Sequence, residues 1–395
     1  MKTSVVRLAG ARGRRGARAG LASAAGVLVL AVTLAACGSS DTAQSDTAQS
    51  DSGGGGKTVV AGGVRTADAA VEALRRTPQP LDIPALPKRP AAGTSAVRIS
   101  CKLPECASSD AVVQQASDRL GWKLHIIKPD LTPEGFAGAW TQAVAAKPDV
   151  ILAYDVVPLS IITRQLDQAE REGIKIVMSS GPSHVGDHGI DATIGALPYY
   201  RAGSVALIDW AVADSGGDAH IAWVHNPSVP MENLVLEQVR KELRRLCAKC
   251  TVDPFRVQGA DAGKVTPGKV VSYLQQHPDV KYVLAAGSGV MLGVAQAVKA
   301  AGLPAKIGTS HAQVPDLEAV DKGVAAVAVA TEPLGWRVVD AAARLVERAP
   351  LPASLADPEG ERQLFDKTNV ASADLKATWT VPEVESTFLR AWHVT

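Results

Sequence analysis

The chain has no apolar run of the roughly 20 residues that a helix needs to cross a membrane. The most prominent run, Leu21 to Leu34, has 14, which argues against a retained transmembrane anchor. Aromatic residues are scarce at 4%, so Ala, Val, Leu and Gly must carry the core. There is no Gly-x-Ser-x-Gly elbow and no His-Glu metal pattern. Ser179 and Ser180 with His184 and His188 therefore read as polar loop residues, and neither catalysis nor a cofactor is expected. Nor is there a basic stripe, which argues against nucleic acid as a partner.

The first residues are rich in cations (Lys2, Arg7, Arg12, Arg14, Arg15 and Arg18) and lead into the apolar run and then Leu34-Ala35-Ala36-Cys37. This order is that of a secretory leader. The last four residues resemble the bacterial lipobox, which implies cleavage after residue 36 and a lipid on Cys37. Removal of residues 1–36 takes six cations and no acids, leaving 35 Lys plus Arg against 40 Asp plus Glu, a net charge of −5. Residues 37–56 are mostly Ser, Gly, Asp, Thr and Gln. That composition cannot bury enough apolar surface to fold, and it suits a flexible tether. Residues 57–93 form an N-terminal extension with a short amphipathic helix from Thr66 to Arg76 and a proline-rich approach; no function is assigned to it.

With Cys37 set aside, four cysteines remain: Cys101, Cys106, Cys247 and Cys250. An even number outside the cytoplasm suggests disulfides. The Cys-Ala-Lys-Cys run also suits a redox dithiol or half of a zinc site, but no second ligand pair has metal spacing, and a structural disulfide near a helix end is preferred. The spacing permits Cys101 to pair with Cys106.

From about Ala96, compact β-branched runs alternate with helical segments. Strands are expected at Ala96–Ser100, Lys123–Ile127, Val150–Ala153 and Ile174–Ser179, separated by helices at Ser108–Leu120, Thr132–Ala146 and Leu159–Gly173. Apolar runs bounded in this way are fully buried parallel strands. The pattern restarts with strands at Ile221–Val224, Val252–Val257, Tyr282–Ala285 and Lys306–Gly308, and helices at Glu232–Cys247, Lys264–Gln276 and Met291–Ala301. Two doubly wound parallel-sheet α/β lobes are implied, with ligands expected beyond the carboxyl ends of their strands.

The segment AAKPDVILAYDVVPLSIITRQLDQAEREGIKIVMSSG from Ala145 to Gly181 resembles type I periplasmic binding proteins of the ribose-binding, sugar-type branch. So do GVAQAVKAAG (293–302), IGTSHAQVPDLEAV (307–320), VAVATEPLGWRVVD (327–340) and the terminal FLRAWH (388–393), in that order. The resemblance covers residues 94 to 395. It implies lobe one from 94–196 and 332–360, lobe two from 197–331, and a segment 361–395 returning across a hinge of three crossing segments. It further implies a monomer, held to the outer face of the cell membrane through its lipid, that hands a small-molecule solute to an ABC importer permease with its ATPase. The alternative is a sensory lipoprotein that signals to a membrane receptor. A repressor of the same fold would need a helix-turn-helix where this chain has its leader.

Carried over one at a time, the family's sugar-binding positions fall on Leu103, Glu105 and Cys106, on Ser180 and Gly181, on Val235, on Gly287 and Ser288, and on Ser310 and Thr331. Few of these have the polar or aromatic side chains that sugars need. The resemblance therefore gives a sugar by default, while the residues leave room for an aromatic or acidic solute. Further cleft candidates are Lys102, Asp155, Asn226, Glu232, Asn233, Glu332 and Trp336.

Overall fold

A computed structural model describes residues 54–356, 359 and 361–394; the leader, Cys37 and nearly all of the tether lie outside them. The chain opens with helix α1 (Gly54–Leu74) and then builds a first sheet: β1 (Ser95–Ile99), α2 (Pro104–Leu120), β2 (Lys123–Ile127), α3 (Pro133–Ala145), β3 (Val150–Tyr154), α4 (Thr163–Glu172), β4 (Lys175–Ser179) and β5 (Ala192–Ile194). The second sheet follows with α5 (Leu197–Asp214), β6 (His220–His225), α6 (Pro230–Leu246), β7 (Thr251–Arg256), α7 (Thr266–Gln276), β8 (Tyr282–Ala285), α8 (Val294–Ala300), β9 (Lys306–Ser310), α9 (Val314–Asp321) and β10 (Val327–Thr331). The remainder is α10 (Gly335–Val346), α11 (Ala353–Ala356), β11 (Arg362–Asp366) and α12 (Val384–Ala391).

The first sheet has the order β2-β1-β3-β4-β5 and is parallel throughout. The second has the order β11-β10-β9-β8-β6-β7, with only β11 antiparallel to its neighbour. In each sheet the strand order reverses once, between β1 and β3 and between β6 and β8. Loops leaving the carboxyl ends on either side of such a reversal point apart and open a crevice. The crevice of lobe one is thus flanked by Ser100 and Asp155, and that of lobe two by Asn226 and Ala286.

Helices cover both faces of each sheet. In lobe one, α2, α10 and α12 pack on one face through Val113, Ala116, Val339 and Phe388, and α3 and α4 on the other through Trp140 and Leu166. In lobe two, α5 and α6 lie on one face and α7 and α8 on the other. Helix α5 is buried along most of its length, Ala206 to Val212 included, because α1 closes it off from solvent through Ala67 and Val71.

The chain crosses between lobes more than once. It passes from β5 to α5, returns from β10 to α10, re-enters the second sheet as β11, and ends in lobe one as α12. The N-terminal extension also spans both. The Arg75 guanidinium pairs with Asp366 beside β11, and the Arg75 carbonyl accepts from Gln363 and Asn369. Leu81 and Leu86 enter the core of lobe one, where the Pro84 carbonyl accepts from Arg344 and Leu86 N donates to Ala391 O.

Helix α2 begins at Pro104, before the Ser108 start expected from the sequence. Proline is pre-set for the first helical turn, and Leu103 precedes it without a side-chain cap. Cys101 and Cys106 are joined across this turn, their Cα atoms 5.6 Å apart. Cys247, the residue that ends α6, is bonded to Cys250 with Cα atoms 5.4 Å apart.

Asp209 on α5 is 6% exposed, and one of its carboxylate oxygens has no partner. Burial, with Glu242 nearby, pushes its pKa up to about 7, against the pull of Arg245 and Arg362. The folded protein therefore holds this proton while the unfolded chain releases it near its ordinary value, so stability falls as pH rises from about 4 to 7. Asp209→Asn should raise the unfolding free energy by about 2–4 kcal/mol at pH 8 and leave it unchanged near pH 4. Denaturant midpoints at the two pH values measure this, and an equal gain at both would refute it.

Candidate functional site

On the lobe-one side, the strand ends present Arg98, Tyr154 and Asp155. Arg98 on β1 is 1% exposed. Its guanidinium lies 4.1 Å from the centroid of the Tyr154 ring, 3.6 Å from Asp110 on α2, and 3.4 Å from Ser179 Oγ. The ring face stabilises the cation and Asp110 balances it, so the charge is kept at the strand ends.

Asp155 is 3% exposed and accepts a 2.7 Å bond from Ser183 N. Burial raises its pKa from the ordinary carboxylate value. The carboxylate fits only because residue 181 is glycine: a Cβ there would fall 2.1 Å from the Asp155 Cβ. Ser180 just before it is left-handed, with φ 64°. Ser180 and Gly181 thus shape the turn that holds Asp155.

Between the lobes stands an aromatic group that the sequence reading did not single out. Tyr199 and Tyr200 occupy the first turn of α5, directly after the crossing from β5. His311 follows β9. The His311 ring stacks on Tyr200 with centroids 4.4 Å apart and meets Tyr199 edge-on at 4.9 Å. The Tyr199 hydroxyl donates to the Glu332 carbonyl at 2.7 Å and lies 3.0 Å from Thr331 Oγ1, which ties α5 to the end of β10.

His311 Nδ1 is 2.7 Å from Ala286 O, a pure acceptor, so Nδ1 carries the hydrogen. Nε2 is then a lone-pair acceptor, buried and without a partner. Burial pulls the His311 pKa down to about 4, so the ring is neutral at pH 7.

Of the other sequence candidates, Ser310 and Thr331 adjoin this ring group, as does the Glu332 carbonyl, and the rest lie elsewhere. Ser310 Oγ donates to Ala286 O at 2.9 Å, and Asn226 is fixed by Glu232 and Ser228. Gly287 and Ser288 follow β8, with Ser288 bonded to Asp316. Lys102 pairs with Asp130 at 2.5 Å in solvent. Asn233 is exposed and holds the Pro227 carbonyl at 2.9 Å. Leu103 is half-buried beside the Cys101–Cys106 loop, and the Glu105 side chain lies outside what is described.

Two candidates are core residues instead of cleft residues. Val235 is fully buried under the second sheet, because α6 turns its apolar stripe inward at that position. Trp336 stacks on Phe388 at 5.9 Å inside lobe one. Glu332 is 1% exposed; its Oε2 accepts from Arg337 at 3.1 Å, while Oε1 is buried without a partner.

What the sequence offered as a signal for the missed residues was position alone: Tyr154 precedes Asp155, His311 follows Ser310, and the Tyr-Tyr pair opens an apolar helix. Among the described residues no group of three or more His, Cys, Asp or Glu is placed to hold a metal ion.

A family model described as the periplasmic binding protein domain matches residues 108–349. No curated protein matches the chain by sequence. Among solved structures, the glucose-galactose binding protein GanP of Geobacillus stearothermophilus is similar with a TM-score of 0.61 at 17% identity, over 70% of this chain and 98% of that one. A solute-binding protein of Burkholderia graminis in complex with D-arabinose gives 0.63 at 16% identity, over 72% and 99%. A carbohydrate transporter of Acidothermus cellulolyticus in complex with myo-inositol gives 0.59 at 20% identity, over 76% and 99%. At these identities the structural likeness shows the fold, two parallel-sheet α/β lobes.

Proposed function

Since the chain belongs to the periplasmic binding protein family, we propose that it captures a small polyhydroxylated solute between its two lobes outside the cytoplasm. The lobes close on the solute, and an ABC permease with its ATPase takes it from the closed form. The leader and lipobox support attachment through a lipid on Cys37. Members of the family are binding proteins, and the chain carries no Gly-x-Ser-x-Gly elbow.

The observation that carries the solute class is the group at the lobe junction: the Tyr199, Tyr200 and His311 rings, with the free acceptor on His311 and the buried carboxylate of Asp155. Sugars and cyclitols present C–H faces that pack on rings and hydroxyls that need buried acceptors. A neutral imidazole accepts from a hydroxyl without the desolvation cost of a second buried charge. Solved structures of the same fold contain D-arabinose and myo-inositol, which favours this class over an aromatic or acidic solute. Closure is an equilibrium that a ligand biases through contacts made only in the closed form.

Thermal denaturation with D-arabinose, D-allose, D-tagatose, myo-inositol and glycerol tests the reading. A bound solute at 100 times its Kd adds about 2.7 kcal/mol to stability. For the solute that shifts the transition most, Asp155→Ala should weaken binding about 10- to 100-fold, the equivalent of one charge-assisted bond. Stabilisation by aromatic or acidic solutes alone would sink the assignment.

A further inference from the structure

A second site lies on the flank of lobe two, in the groove between α6 and the edge strand β7. Its floor is His225, the last residue of β6, on the sheet face that also carries Ile221 and Trp223 and packs against α6. His225 is 3% exposed, and neither of its ring nitrogens has a hydrogen-bond partner. It lines a cavity of about 310 Å³. An imidazole in a folded interior normally satisfies at least the nitrogen that bears its hydrogen.

The walls explain what is missing. Arg240, on the face of α6 that also bears Asn233 and Glu237, stands on one side. Arg256, which ends β7 and pairs in register with His225, stands on the other. Among the described residues neither guanidinium has a carboxylate within ion-pair distance. Burial first, then the Arg256 and Arg240 charges, hold the His225 pKa below its ordinary value. Glu237 is the one acid on the rim, so the groove carries an excess of positive charge.

We propose that this groove binds a small soluble oxyanion, a carboxylate or phosphoryl group, clamped between Arg240 and Arg256 and receiving a hydrogen bond from His225. Paired arginines match the planar, multi-acceptor geometry of such groups. The cavity has room for a small ion such as phosphate or citrate. None of its lining residues belongs to the Tyr199, Tyr200, His311 and Asp155 group, so its occupancy does not depend on the solute proposed there.

The test is a titration of the full chain, labelled with 15N-histidine, with inorganic phosphate, with citrate, and with sodium chloride as the ionic-strength control. Eight histidines are present, and loss of one ring signal in His225→Gln assigns the reporter. Phosphate or citrate should shift the His225 signal saturably. Arg256→Ala, at an exposed strand end, and Arg240→Gln should each weaken that binding at least 10-fold, while Glu237→Gln tightens it. Affinity for the cleft solute should be the same in wild type and in Arg256→Ala. Shifts that chloride reproduces, shifts linear in concentration, or wild-type affinity in both arginine variants would overturn the proposal.

Discussion

Arg337→Met is expected to lower the unfolding free energy by about 3–5 kcal/mol at about pH 9, where Glu332 is a buried carboxylate that loses its counter-ion. Arg337 is 3% exposed and binds Glu332 at 3.1 Å, Glu361 at 2.8 Å and the Ser354 carbonyl at 3.2 Å. Burial already raises the Glu332 pKa to about 8, against the pull of Arg337 and with Glu361 adding to the rise. Without the guanidinium it rises further. The folded protein then holds a proton that the unfolded chain releases from about pH 4.5, and the deficit grows as pH increases.

Urea denaturation at pH 6 and pH 9 should show the larger loss at pH 9. Adding Glu332→Gln to Arg337→Met should recover much of it, since the pair is coupled. A double variant no more stable than Arg337→Met would argue that the charge is not the cause. The pair stands where the chain leaves β10 for lobe one, so Arg337→Met should also weaken solute binding through the Tyr199 contact to Glu332.

Trp392→Ala is expected to cost about 5 kcal/mol. Removing a fully buried tryptophan costs about 3–5 kcal/mol through lost contacts and the cavity left behind. Trp392 is 0% exposed and packs with Trp336 and Phe388 at centroid distances of 5.6 Å. Its Nε1 also donates to the fully buried Asp340 at 2.7 Å, leaving Arg344 as that carboxylate's remaining partner when the ring is gone. Trp392→Phe separates the two contributions: it keeps the ring stack, and it should lose only the roughly 1–3 kcal/mol of an unsatisfied buried acceptor. Equal losses in both variants would show that packing contributes little here.

The fold was legible wherever a segment buries both faces of a strand or one face of a helix. Tyr282–Ala285, buried at every residue, has the expected bounds; so does Lys123–Ile127, an edge strand with no buried residue, and most other elements start or stop within a few residues of theirs. Periodicity failed where burial is not one-sided. Helix α5 follows a three-residue strand and is enclosed by α1, α6 and the sheet, so it has no polar face to reveal its period. Helix α1 extends to Gly54 through a glycine-rich run that composition assigns to the tether.

The site was less legible than the fold. The family positions Ser180, Gly181, Ser288 and Ser310 lie at or just after the strand ends, but their side chains did not point to the ring group on which the proposed site rests. Tyr199, Tyr200 and His311 come together from segments more than 100 residues apart, a contact that no single stretch of sequence encodes.

The N-terminal segment also limits how far the molecule can move. Arg75 is fixed beside β11 and Leu81 is buried in lobe one, and only residues 76–80 lie between them. Six Cα steps reach at most about 20 Å when fully drawn out, and Pro78 and Pro80 stiffen that stretch. Opening beyond this reach requires Leu81 to leave its core or Arg75 to release Asp366. The lobes are therefore on a short leash, with an end stop set by chain length rather than by the stiffness of the hinge.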